Sequence, residues 1–517
     1  MADQIRTRTE YSVKNTTVAV ASRMTAILMG FVTRVVFTHV LSESYVGING
    51  LFTDILNVLA LSELGVGTAI TYALYKPVAE EETEKQKSIM RLYCWFYRIV
   101  ALIVLIGGLL VVPFMDVIMK DRPQVEHLTL IYLLYLANSV LSYLLIYKKT
   151  LIEAHQLTYI GTLYHTIFLV IQDAAQIVIL LATGNFLLFC ITAVVCTVSG
   201  NVSISRRADR MYPFLKDREI APLGQQEKDG IIKNVKAMLM HKIGVVIVNN
   251  TDNILLSALV GLGSVGKYSN YYLVIGSVRQ VLDQVFQGIS ASVGNLGVME
   301  DEAHIRRIFE TSFFIGQWLY GFAAICLYEL LSLFVEISFG ANYVFEPGVV
   351  LVLCLNFYIT GMRKATLIFR DSLGLFWYDR YKSIAEAVVN LTVSIVLALR
   401  FGTAGVFWGT FISTVTTSLW VEPYVLYKHC LKAPVRSYFA KYAKYAAVLA
   451  GVWFVTDRIC AQMGGNILVK FLLRLLIAAI LPNLLFVLLY GRTGEFREVL
   501  AIVKGRIRGK NSIRRKL

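Results

Sequence analysis

Residues 92–113 read LYCWFYRIVALIVLIGGLLVVP, with Arg98 as the sole charge. A run of about 20 apolar residues crosses the hydrocarbon core of a bilayer as a helix. Residues 467–490, ILVKFLLRLLIAAILPNLLFVLLY, repeat the pattern and are charged only at Lys470 and Arg474. Outward from these two, comparable stretches occupy 15–39, 45–75, 128–147, 159–181, 185–205, 237–260, 267–296, 308–334, 348–369, 381–399, 403–427 and 440–458. The 517-residue chain is 56% hydrophobic and 16% charged, with a mean hydropathy of +0.61. The predicted class is an all-α polytopic membrane protein of about 14 transmembrane helices. The longest hydrophilic connection, roughly Arg206 to Lys236, is too short for an ATP-binding domain. The first stretch is interrupted by Arg23 and Arg34 and lacks the short apolar core and cleavage site of a signal peptide, so it is expected to remain as the first membrane helix.

The formal charge of +15 is distributed unevenly. Basic residues crowd the N-terminus (Arg6, Arg8, Lys14), the connections after even-numbered stretches and the tail from Arg492 to Lys516. The opposite side receives only Lys120, Arg122, Lys267, Arg400, Arg458 and Lys470. Positive residues favour the cytoplasmic face, so both termini are expected in the cytoplasm. This bias accounts for the net charge without a nucleic-acid partner, and it aims the basic tail at anionic lipid headgroups.

A shift of 219 residues lays Lys14-Asn15 on Lys233-Asn234, Arg23 on Lys242, and Val46-Gly47 on Val265-Gly266. The repeating unit holds six stretches, so both copies enter the membrane in the same direction. Parallel repeats of this kind build transporters with a site between the halves. The expected divisions are 1–216 and 217–436 as six-helix lobes, 437–490 as two added helices, and 491–517 as a basic tail.

A charge near the middle of a membrane helix costs at least about 2.5 kcal/mol, so intramembrane charges point to function. Arg23 and Arg34 are eleven residues apart, about three turns, and share one helix face. Lys242, Asn249 and Asn253 repeat that face, with Asp252 beside it. Gly276, Arg279, Asp283, Gln287 and Ser290 make a second stripe, in which Arg279 either faces a cavity or pairs with Asp283 one turn on. His165, Gln172 and Gln176 make a third, with Asp173 adjacent; His165 reads as a packing histidine or as part of an ion route. Asp54, Asn57 and Glu63 follow in the second stretch, and Ser383, Glu386, Asn390 and Ser394 in the eleventh. Asp54, Glu63, Asp173 and Asp252 read either as binders of H⁺ or Na⁺ or as neutralising partners of nearby arginines. Arg98 and Arg474, near the ends of their stretches, are expected to snorkel to the interface. Several cations around one cavity suit an anionic cargo. Arginine grips phosphate through two parallel hydrogen bonds and lysine acts as a point charge, which a diphosphate headgroup would match.

The seven cysteines lack metal-ligand spacing and read as free thiols in packed helices; no metal or other cofactor is expected. Gly261–Lys267 imitates a phosphate-binding loop, but Tyr268 stands where Ser or Thr would ligate Mg²⁺, and no strand precedes it. No nucleophile–histidine pair stands out, and the external connections are too short for a glycopolymer polymerase. An enzyme is disfavoured.

Tyr45-Val-Gly-Ile-Asn-Gly-Leu-Phe52, Leu61-Ser-Glu-Leu-Gly-Val-Gly-Thr-Ala69 and Tyr75-Lys-Pro77 resemble the second helix of Wzx-type polysaccharide transporters. His241-Lys-Ile-Gly244, Asn250-Thr-Asp-Asn253 and Tyr268-Ser-Asn-Tyr-Tyr272 extend the likeness. These transporters belong to the multidrug/oligosaccharidyl-lipid/polysaccharide exporter superfamily. The resemblance implies a V-shaped pair of six-helix lobes around a central cavity, plus two C-terminal helices. It implies a flippase in the bacterial plasma membrane that moves undecaprenyl-diphosphate-linked oligosaccharides outward by alternating access, for capsule, exopolysaccharide or cell-wall polymer assembly. The implied partners are the lipid-linked glycan, membrane lipids and assembly proteins such as a polymerase. By matching position, Arg23, Arg34, Lys242 and Arg279 are the candidate headgroup ligands, and Glu63 is family-like. A cation-coupled multidrug antiporter and a peptidoglycan lipid II flippase stand as alternatives.

Overall fold

A computed structural model describes residues 2–60, 66–120, 123, 125–217, 222–232, 235, 250–299, 302–373, 375, 378, 379 and 381–501. The protein is an all-α polytopic membrane protein, with helices and no strand among the described residues. Nine helical segments there are long and apolar enough to cross a membrane. The chain divides into two compact units, Met1–Ser269 and Asn270–Leu517.

The N-terminal unit contains α1 (Ala2–Val40), α2 (Glu43–Leu59), α3 (Val66–Ala79), α4 (Thr83–Val111), α5 (Leu128–Ala154), α6 (Thr158–Thr183), α7 (Phe186–Met211) and α8 (Asp252–Leu259). It also includes the first turns of α9 (Leu262–Met299). Within the single long helix expected over 45–75, Ala60 caps α2, and α3 is described from Val66 onward. The turn between α6 and α7 follows from two residues. Gly184 takes φ +61°, and the Asn185 side chain accepts hydrogen bonds from the backbone N–H groups of Leu187 and Leu188. Of the Gly261–Lys267 segment, Gly261 takes φ +137° ahead of the helix and Leu262–Lys267 opens α9 as ordinary helix.

Val46-Gly47 and Val265-Gly266, the pairs aligned by the repeat, pack against each other. A Cβ on Gly266 would lie 2.9 Å from the Glu43 carbonyl oxygen, and one on Gly47 would strike that of Leu262. Glycines let α2 and α9 meet backbone to backbone, which lipid-embedded helices favour because dispersion contact replaces the hydrophobic effect there.

The C-terminal unit holds the rest of α9, then α10 (Glu302–Phe339), α11 (Pro347–Ser372), α12 (Lys382–Thr416), α13 (Ser418–Leu426), α14 (Arg436–Ala461) and α15 (Ile467–Tyr490). Helix α12 folds back on itself at Gly402, whose φ of +55° and ψ of −132° suit glycine alone. Its arms face each other: Ser394 Oγ donates to the Val406 carbonyl (3.1 Å) and Asn390 Nδ2 to Thr410 Oγ1 (3.0 Å). This matches the separate stretches expected at 381–399 and 403–427. Phe309, Phe313, Tyr438 and Tyr445 build the aromatic core of the unit. Gln317 is fully buried there, accepting from Tyr358 Oη at 2.6 Å and donating to the Tyr445 carbonyl at 3.2 Å.

Candidate functional site

Within the N-terminal unit, α1, α2, α5, α6 and α7 surround a half-open cavity of about 730 Å³. Helix α1 lines it with Ala26 and Gly30, and the other four helices offer it polar side chains. Helix α5 contributes Asn138, Ser139, Ser142 and Lys149; α6 contributes His165, Gln172 and Asp173; α7 contributes Thr197 and Asn201; α2 contributes Asn57. Tyr135, Tyr143, Tyr164 and Phe168 add aromatic surface. The shape is held from behind. Asn201 Nδ2 donates to the Ser142 carbonyl at 3.0 Å, tying α7 to α5. Tyr135 Oη donates to Asn49 Oδ1 at 2.8 Å, tying α5 to α2. Lys149 crosses α6 at Gly161, where a Cβ would stand 2.6 Å from its Cε, and its ammonium pairs with Glu153 at 3.1 Å.

One lining atom lacks a partner. Asn138 Oδ1 is buried and makes no hydrogen bond with any described residue. A buried acceptor left unmade costs about 1–3 kcal/mol, which a donor brought to it would recover. Asp173 is a buried carboxylate on the same wall.

Of the residues singled out in the sequence, Asn57, His165, Gln172 and Asp173 meet at this cavity. Asp54 turns to α8, accepting a 2.7 Å hydrogen bond from Asn253. Asp252, beside Asn253 on α8, is buried. Arg23 is exposed on α1, and Arg34, half-buried, lies over the Phe37 ring at 5.9 Å. Glu63, Lys242 and Asn249 lie outside the described residues. Lys149 falls just beyond the stretch expected at 128–147; α5 runs past it to Ala154, which brings it to the cavity.

In the C-terminal unit Asp283 is taken by neighbours other than Arg279. Lys364 Nζ lies 3.0 Å from Asp283 Oδ2, and Tyr320 Oη donates to Oδ1 at 2.8 Å. Nearby charges close on one another. Arg363 grips the fully buried Glu422 through two bonds of 2.6 and 3.0 Å, and Lys382 binds the same carboxylate. Glu386 accepts from Ser418 Oγ at 2.6 Å and from Thr414 Oγ1 at 3.2 Å, with Arg363 Nη1 at 3.4 Å. Arg370 meets Asp379 at 2.5 Å and Asp371 at 2.7 Å. Arg474 does not snorkel; it faces Glu329 of α10 at 3.6 Å.

The sequence profile of the family described as "Polysaccharide biosynthesis protein" matches residues 12–287. The chain belongs to that family. It matches no curated protein at the sequence level. The fold is similar to that of a solved structure described as lipid II flippase MurJ in an inward closed conformation, at 14% identity, with 92% of this chain and 99% of that chain covered and a TM-score of 0.66. It is also similar to an inward-facing multidrug resistance MATE family transporter of the MOP superfamily, at 13% identity, 79% and 97% coverage and a TM-score of 0.61. This polysaccharide biosynthesis family member therefore has the helical fold of MOP-superfamily transporters, as the sequence resemblance implied.

Proposed function

We propose that the chain is a flippase for polyprenyl-diphosphate-linked glycans, moving an undecaprenyl-borne oligosaccharide from the cytoplasmic to the outer leaflet of a bacterial plasma membrane by alternating access. The observation that carries this reading is the lining of the N-terminal cavity. Amide and hydroxyl side chains beside aromatic rings suit a sugar, which presents both hydroxyls and apolar faces, and Asn138 holds a vacant acceptor for a sugar hydroxyl. Lys149 supplies a cation for the adjoining phosphates. Arg23, Arg34, Lys242 and Arg279 are proposed to serve the same headgroup, with Asp54 or Asp173 binding a coupling H⁺ or Na⁺. A second reading, a cation-coupled multidrug antiporter, is favoured by the buried carboxylate of Asp173 in the cavity wall.

The test is transport by the purified chain in liposomes carrying fluorescent undecaprenyl-diphosphate oligosaccharide. Wild type should move it across the bilayer, and Asn138→Leu and Lys149→Ala should each slow it by about tenfold or more, the equivalent of one charged hydrogen bond. Efflux of a cationic dye with no glycolipid movement would replace the lead reading with the second.

A further inference from the structure

Three glycines line the N-terminal cavity among the described residues: Gly30 of α1, Gly161 of α6 and Gly200 of α7. Two of them serve packing. A Cβ on Gly161 would stand 2.6 Å from Lys149 Cε, and one on Gly200 3.2 Å from Phe168 Cγ. Gly30 is different, because a Cβ built on it meets nothing within 4 Å. Nor does its backbone call for glycine: it lies inside α1 and does not take a positive φ. Glycine in a helix interior costs about 0.5–1 kcal/mol against alanine. Ala26, one turn earlier on the same face, is the other residue that α1 gives to the lining. Four helices thus line the cavity with polar side chains, and the fifth leaves a bare ledge.

The usual use of glycine in a membrane helix, close approach of a neighbour, is absent at Gly30. What its missing side chain leaves is room. The cavity of about 730 Å³ falls inside the range of about 300–1,000 Å³ that takes a small organic ligand. It has space for a few sugar rings and no more, so bulk at its wall decides what enters. We propose that Gly30 is a specificity-determining residue: with Ala26 it keeps open the strip of wall against which the glycan lies, and so sets how many sugars the cavity admits. This role rests on the glycan reading above and adds a limit of size to it. The cause is steric. Each carbon placed on the ledge takes space from the ligand, and a close-packed helix bundle does not yield to restore it.

The test compares two fluorescent lipids on the full chain: undecaprenyl diphosphate bearing one glucose, and the same lipid bearing a chain of four. Equilibrium binding is read in detergent and transbilayer movement in liposomes. Across Gly30→Ala, Gly30→Val and Gly30→Phe, affinity for the longer glycan relative to the shorter should fall step by step, by about tenfold or more in the last variant. Ala26→Leu, one turn away, should lower the same ratio and carries the test if Gly30→Phe does not fold. Damage to the fold would weaken both lipids alike and leave the ratio unchanged, so an unchanged ratio overturns the proposal. Gly30→Ala should melt at or slightly above wild type, because alanine favours the helix and meets no neighbour here. A clear drop would mean that α1 needs glycine itself, and would also overturn the proposal. If wild type binds both lipids and the variants shift the ratio, but neither lipid crosses the bilayer, the flippase reading falls and this one stands. If wild type moves both and the ratio holds in every variant, this one falls alone. If wild type binds neither, both fall.

Discussion

Polar side chains inside the N-terminal unit surround a void, whereas those of α11, α12 and α13 in the C-terminal unit close on one another. Asn138 of α5 and Gln172 and Asp173 of α6 line open space. Arg363, Lys382, Glu386 and Glu422 also come from separate segments, yet each finds an opposite charge or a hydroxyl. The difference lies in the facing helix. Where it brings the complementary charge, a polar stripe becomes a strut; where it brings amides, hydroxyls and rings, the stripe stays available to a ligand. A charged residue in a membrane helix thus marks function only after its partner is known.

The largest expected effect comes from breaking a strut. Glu422→Ala strips the carboxylate shared by Arg363 and Lys382 and leaves two buried cations facing each other. Removing one member of a buried pair costs about 3–5 kcal/mol. The detergent-solubilised variant should melt far below wild type, while Asn138→Leu, which deletes an unpartnered acceptor, should melt within about 2 °C of it. Equal losses in the two variants would erase the distinction between strut and lining.

The contrast also shows what sequence alone makes legible. Apolar runs locate the membrane helices, and the break between 381–399 and 403–427 falls at Gly402, because hydrophobicity and glycine act locally. Of the stripe His165, Gln172 and Gln176, visible in helical spacing, the first two line the cavity with the adjacent Asp173, while Gln176 is buried and donates to the Phe189 carbonyl. Nothing local marks Arg363, inside the stretch at 348–369, as half of a buried pair, since its partner Glu422 lies 59 positions later. Arg474 reads as a snorkelling residue for the same reason: Glu329 is on another helix. Spacing finds partners three or four residues apart and is blind to those that folding supplies. The repeated Val-Gly pairs are visible as a motif, but that they touch each other is a fact of the third dimension.

A smaller effect is expected at the fold-back of α12. Only the reversal at Gly402 places Glu386 opposite Thr414 and Ser418, and Asn390 opposite Thr410. Gly402→Ala forces a side chain into backbone angles closed to it, at a cost of about 1–3 kcal/mol. The variant should melt between the other two, with both arms still helical by circular dichroism. A melting temperature equal to wild type would mean that the arms set the turn rather than the turn the arms.

The smallest effect belongs to a strut that has left the membrane. Beyond α15, Glu495 pairs with Lys441 at 2.6 Å, and the same ammonium meets Glu310 at 3.1 Å. Partial burial pushes the Glu495 carboxyl up, but the hydrogen bond and charge of Lys441, with Lys444 beyond, outweigh it and hold the group below its usual value. A carboxyl whose folded value is depressed adds stability that is complete above its unfolded value and fades as pH falls through the folded one. Glu495→Gln should therefore lower the melting temperature at neutral pH and match wild type in strongly acidic buffer. Both partners are about a quarter exposed, so water and salt weaken the pair to about 1 kcal/mol or less. Raising the salt concentration should shrink the Glu495→Gln difference and leave that of Glu422→Ala nearly intact, because buried charges are poorly screened. If salt erased both alike, the charges of α11 to α13 would have to be reached by solvent, and the division between closed struts and open lining would rest on access to water rather than on pairing.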